Sequence, residues 1–168
     1  RHGSFAAAAG CLMLAATLAS AAGNMDATDK YAWSENSGWV NFAPTHAGVT
    51  VNNSYLSGYA WSESIGWIKF GSGTGPYANT DVDNWGVNLL PNLKLSGYAW
   101  SENAGWINFN PAHGRVVINK QDGRFDGFVW SESMGWIRFQ APLDPVSPGY
   151  YNVRTAATLV RGTVITIR

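Results

Sequence analysis

The residues whose types and spacing could do chemistry are tryptophans, glutamates and one short acidic run. Eight of the nine tryptophans form four equally spaced pairs: Trp33 and Trp39, Trp61 and Trp67, Trp100 and Trp106, Trp130 and Trp136. Two residues beyond each first tryptophan stands a glutamate: Glu35, Glu63, Glu102 and Glu132. Aromatic rings beside polar groups can stack on sugar rings or another flat ligand. Four equivalent carboxylates gathered around an axis could bind a cation such as calcium. Paired carboxylates could also hydrolyse a glycosidic bond, but an acid and its partner need different environments to hold different pKa values. Identical repetition therefore argues against catalysis, and each Ser-Glu reads first as a turn former that accepts backbone N–H bonds. Asp81-Val82-Asp83-Asn84 has the acidic spacing that begins a calcium loop, yet Asn92 stands where its closing glutamate should be. Asp81, Asp83 and Asn84 are thus the metal candidates, an Asx-rich turn is the plainer reading, and calcium is the one cofactor considered. His46 and His113 occupy equivalent links without cysteine or clustered acids, which does not make a zinc site. No P-loop, dinucleotide fingerprint or G-x-S-x-G elbow is present.

The elements that must position these groups come from one repeated string. It runs YAWSENSGWVNF over 31–42, GYAWSESIGWIKF over 58–70, YAWSENAGWINF over 98–109 and FVWSESMGWIRF over 128–139. Self-similarity at a period of a few tens of residues signals a repeat architecture. Ahead of the later copies lie short alternating β-branched strands: Val49 to Asn52, Gly86 to Leu89 and Arg115 to Asn119. Each is followed by a turn, including the hairpin-forming Asp122-Gly123. The repeats then lie near 31–42, 49–70, 86–109 and 115–139. The first copy lacks such a strand before it, and Tyr150 to Thr155 matches the missing one. A C-terminal strand completing an N-terminal unit removes free sheet edges. The expected fold is all-β: four three-stranded antiparallel units, closed in a ring as a propeller or barrel, with an open row as the alternative. Leu159 to Arg168 reads as a final strand, and no helix is predicted in the mature chain.

The register inside each hairpin decides which side chains share a face. A four-residue loop, Glu63 to Gly66, would place Tyr59, Trp61, Ile68 and Phe70 together on the core face. Trp67 would then share the other face with Lys69. On this reading the first tryptophan of each pair is core. The second set (Trp39, Trp67, Trp106 and Trp136), with Lys69, Asn108 and Arg138, forms the candidate ligand-binding surface. The structural alternative packs the second tryptophans between units.

Composition bounds the rest. Charged residues are 13% and aromatics 14%, which is unlike a disordered chain. The formal net charge is zero with scattered basic residues, so a nucleic-acid partner has no electrostatic support. Arg1 and His2 precede an apolar run to Ala19 and a small-residue Ala19-Ser20-Ala21-Ala22. This reads as a secretory signal over residues 1–22, leaving one β-repeat domain over 23–168 without a membrane span. The sole cysteine, Cys11, lies in that signal, so no disulfide is expected in the mature chain.

The string G-Y-A-W-S-E-N/S-x-G-W-I-x-F resembles repeats of secreted or surface proteins of bacteria, over 31 to about 155. The resemblance implies an exported, non-enzymatic β-repeat protein, periplasmic, extracellular or on the cell surface, and carries no ligand with it. The expected function is binding of an extracellular partner, a glycan or a surface protein, through repeated aromatics. The alternatives are a structural or assembly protein of the envelope or matrix and, less favoured, a glycoside hydrolase.

Overall fold

A computed structural model describes residues 23–142, 146 and 148–159. The signal expected over 1–22 and nearly all of the final strand expected over 159–168 lie outside the described residues. The described chain is all-β. Its strands are β1 (Met25–Ser34), β2 (Gly38–Asn41), β3 (Val49–Val51), β4 (Leu56–Ser62), β5 (Gly66–Lys69), β6 (Val87–Leu89) and β7 (Leu95–Ser101). They continue with β8 (Gly105–Asn108), β9 (Val116–Ile118), β10 (Arg124–Ser131), β11 (Gly135–Arg138), β12 (Gln140–Ala141) and β13 (Tyr151–Thr155).

Eight of them close an antiparallel barrel in the order β1, β2, β4, β5, β7, β8, β10, β11 and back to β1. The ring is a barrel rather than a propeller. Strands β3, β6 and β9 pair with the first halves of β4, β7 and β10. Strand β13 pairs with both β1 and β10. The segment before Tyr31, which lacks an alternating apolar pattern, is the first half of β1. Its polar residues are taken up locally, since Asp26 accepts N–H bonds from Thr28 and Asp29 at 2.9 Å each. Its carboxylate also meets the Arg154 guanidinium on β13 at 2.8 Å. Those two backbone N–H groups, with smaller help from Thr28 Oγ1 and Arg154, hold the Asp26 carboxyl well below the usual carboxylate range.

The expected hairpin register is overturned. Trp61 lies opposite Trp67, Tyr59 opposite Lys69, and Ser62 opposite Gly66. The loop is therefore three residues, Glu63 to Ile65, followed by Gly66 at φ +77°. A type I turn closed by a left-handed residue makes such a loop, and glycine takes that conformation without strain. The hairpins β1–β2, β7–β8 and β10–β11 have the same register.

One residue of loop length swaps the faces of the first strand, while Ile68 and Phe70 point inward and Trp67 outward as expected. The interior carries Ala60, Ser62, Ile68 and Phe70 in the second hairpin, all buried, with their counterparts in the others. Every tryptophan of the motif faces outward, so the first tryptophans are not core. The reason is space. An eight-stranded barrel is just wide enough inside to be filled by side chains, and four indoles at one level would overfill it. Phe42, Phe70, Phe109 and Phe139 already close a cycle of edge-on contacts across the interior, with centroids 5.6, 5.6, 6.2 and 5.3 Å apart in turn. Alanine and serine fill the level nearer the turns. Ile65, Ala104 and Met134, each the last loop residue of its hairpin, are buried at that end. At the opposite end, Val49, Leu56, Val87, Leu95, Val116, Phe125 and Val153 complete the core.

Candidate functional site

The outer wall is built by the same alternation that fills the interior. Within a hairpin the two tryptophans meet edge-on, at 4.8, 4.9, 4.7 and 5.0 Å in chain order. The tyrosine or phenylalanine that opens each motif meets the second tryptophan at 6.0, 6.1, 6.0 and 6.2 Å. Between hairpins, the polar residue near the end of one motif lies beside the first tryptophan of the next. Asn41 pairs with Trp61, Lys69 with Trp100, Asn108 with Trp130, and Arg138 with Trp33.

Each strand-to-strand row on the outside therefore has one composition. One row is Tyr31, Asn41, Trp61, Trp67. The next is Tyr59, Lys69, Trp100, Trp106. Then comes Tyr98, Asn108, Trp130, Trp136. Phe128, Arg138, Trp33 and Trp39 complete the circuit. The second tryptophans Trp39, Trp67 and Trp106 are 48%, 47% and 44% exposed, which leaves roughly half of each residue open to a partner. Trp136 is half-buried.

The glutamates have a local role. Alternation puts Glu63 on the same face as Trp61, whose indole Nε1 donates to Glu63 Oε1 at 3.0 Å. Trp100 and Glu102 repeat this at 3.0 Å. Such a bond fixes the indole plane, so the carboxylate positions a ring. The turn N–H groups go to serine: Ser34 Oγ accepts from Ser37 at 3.1 Å, and Ser101 Oγ from Asn103 and Ala104 at 3.3 Å each. Neighbouring turns are tied together, with Ser64 Oγ donating to the Ser37 carbonyl and Asn103 Nδ2 to the Ile65 carbonyl, both at 2.9 Å.

Each second tryptophan has a different neighbour. Tyr151 meets Trp39 at 5.0 Å, and Trp85 meets Trp106 at 5.1 Å. His46 and Ala47 border Trp67 and Tyr59 around a recess of about 310 Å³. A wider groove of about 510 Å³ runs between the third and fourth hairpins, lined by Trp100, Trp106, Asn108, Trp130 and Glu132 among others. Burial pushes the Tyr151 hydroxyl up from its ordinary pKa.

The polar members of the rows differ. Asn41 Oδ1 and Asn108 Oδ1 accept the backbone N–H of Ala43 and Asn110, at 2.9 and 2.8 Å. Lys69 Nζ lies 5.9 Å from the Trp85 ring centre, and the Arg138 guanidinium 5.4 Å from that of Phe128. The candidates Trp39, Trp67, Trp106, Trp136, Lys69, Asn108 and Arg138 thus stand on one outer surface. Asn41 stands there too, as its register predicts, but sequence reasoning missed two sets of companions: the first tryptophans and the leading tyrosines. The tyrosine–tryptophan spacing of two was the available signal, since such residues share whatever face they are on.

The acidic run forms a turn. Asp81 Oδ1 accepts from the N–H groups of Asp83 and Asn84 at 2.9 and 3.0 Å, and Asn84 Oδ1 accepts from Ala78 at 2.9 Å. Among the described residues no three or more metal-ligating side chains cluster. Asp81 does border a recess of about 380 Å³ with Trp85, Tyr98 and Trp106. No helix among the described residues is long and apolar enough to cross a membrane. A scan against protein-family models finds no match for this chain, and neither curated proteins nor solved structures match it.

Proposed function

We propose that this chain is an exported, non-catalytic module of four three-stranded units that binds extracellular glycan through its outer aromatic rows. The observation that carries the reading is the outer wall: aromatic residues interleaved with one polar side chain, repeated around a barrel whose core does not need them. A pyranose ring presents apolar C–H faces and polar edges, which suits a flat indole beside an amide or cation. The Trp61 and Trp100 indoles, held by Glu63 and Glu102, arrive pre-organised, which lowers the ordering cost of binding. The half-exposed tryptophans count against the rival reading, an assembly protein with all its tryptophans buried between units. The resemblance of the motif to exported bacterial repeat proteins, and the expected signal over 1–22, support an extracytoplasmic setting.

The test is glycan-array binding by the wild type and by Trp67→Ala and Trp106→Ala. Binding is expected for the wild type and weakened in both variants. Absence of binding to every glycan would sink the proposal.

A further inference from the structure

The four rows are not equivalent, and their differences follow the barrel order. Asn41 lies on β2, Lys69 on β5, Asn108 on β8 and Arg138 on β11. In the closed order the two cationic strands are four places apart out of eight, on opposite walls, as are the two asparagine strands. Both cations rest against aromatic faces. Among the described residues the ion pairs involve Arg124 and Arg154, and neither Lys69 nor Arg138. Two nearby acids have other partners: Glu102 takes the Trp100 indole, and Asp81 Oδ1 takes two backbone N–H groups. Each cation thus offers N–H donors to an incoming anion beside indoles that can take a ring. The asparagine rows offer a neutral amide whose oxygen is already engaged in its own turn.

We propose that the Lys69 and Arg138 rows select sugars bearing an anionic group, carboxylate or sulfate, and that their opposed placement lets one chain bridge two anionic polysaccharide strands. This rests on the glycan-binding reading above and goes beyond it in naming the sugar class and the valency. Charge-assisted hydrogen bonds to an anion supply the selectivity, and the aromatic neighbours supply the platform.

The experiment is calorimetric titration of the full chain with three oligosaccharides: an oligogalacturonate, a sulfated dextran oligomer and a neutral cello-oligosaccharide. The variants are Lys69→Gln, Arg138→Gln, their double, and the charge-keeping Lys69→Arg and Arg138→Lys. The expected stoichiometry is two anionic ligands per wild-type chain, one in each single glutamine variant, with affinity in the double variant lower by on the order of tenfold or more. The charge-keeping variants retain anionic binding, and neutral binding is unchanged throughout. Long polygalacturonate is precipitated by the wild type and not by the single glutamine variants. The carboxylated and sulfated arms show which anion is preferred, either result supporting the proposal. Equal binding of neutral and anionic sugars, or full anionic binding by the double variant, would overturn it while leaving the glycan reading standing. No binding of any sugar would overturn both. Uptake by phosphatidylglycerol vesicles with no sugar binding at all would overturn both in favour of a lipid surface.

Discussion

The inner and outer walls of the barrel come from the same residues in alternation, yet they have different reasons to repeat. Inside, Ala60, Ser62, Ile68 and Phe70 recur in kind as Ala99, Ser101, Ile107 and Phe109, all buried. A closed interior of fixed width accounts for that sameness, because close-packed cores tolerate little change in volume. Outside, Tyr59, Trp61 and Trp67 recur just as faithfully as Tyr98, Trp100 and Trp106, while remaining partly open to solvent. Packing does not require indoles there. Repetition inside is explained by the fold, and repetition outside is what the proposed glycan binding would explain. The polar residues sharpen the contrast, since they vary between asparagine, lysine and arginine, whereas the interior exchanges one apolar residue for another, as at Ile68 and Val40 or Ala60 and Val129.

The contrast can be broken by experiment. The largest effect belongs to the interior: Phe109→Ala removes a member of the aromatic cycle and is expected to cost about 3–5 kcal/mol in chemical denaturation. An effect under about 1 kcal/mol would mean that the cycle is not what fills the barrel. Next come two glycines of positive φ, one where strand partners change and one that closes a turn. Gly127 has φ +121°, and a Cβ there would strike the Arg115 backbone, whereas Gly66 at φ +77° has only side-chain atoms at 3.7 Å. Alanine at Gly66 is expected to cost roughly the 1–2 kcal/mol of a left-handed residue, and Gly127→Ala clearly more. Equal losses would contradict the close approach at Gly127.

The outer wall should respond the other way. Trp67→Ala removes two edge-on contacts and is expected to cost about 1–3 kcal/mol for the two pairs. Its main consequence should be weaker binding, with a melting-temperature loss smaller than that of Phe109→Ala. A stability loss matching Phe109→Ala would erase the distinction between the walls. The smallest effect is the pH response of the β1–β13 contact. The folded pKa of Asp26 is depressed, so its stabilisation is present above the ordinary carboxylate pKa and is lost as pH falls below it. The melting-temperature gap between wild type and Asp26→Ala should therefore be modest near neutrality and shrink below about pH 4. A gap that widens in acid would show that the carboxylate is not the favoured form there.

Much of the barrel was legible in the repeated string. The hairpins, the strands at Val49, Val87 and Val116, and the match of Tyr150 to Thr155 with a missing strand all follow from β-branched alternation and turn residues. The first half of β1 was not legible, because Met25 to Lys30 is polar and its pairing partner, β13, lies far along the chain. The two-residue β12 was missed because a pair of residues has no pattern to read. The candidate site was half legible. The second tryptophans stand on the outer surface with Lys69, Asn108 and Arg138, but the first tryptophans join them, against expectation.

The sequence by itself determined the alternation, the turns and the four-fold recurrence, because strand propensity, glycine conformation and side-chain periodicity act over a few neighbouring residues. It also determined that tyrosine and first tryptophan share one side of a strand. Only the tertiary structure decided which side is inside. Three loop residues and four loop residues both make acceptable turns from Ser-Glu-x-x-Gly, so local energies do not separate them. Barrel closure does, because its narrow interior admits alanine, serine, isoleucine and phenylalanine and leaves the indoles outside.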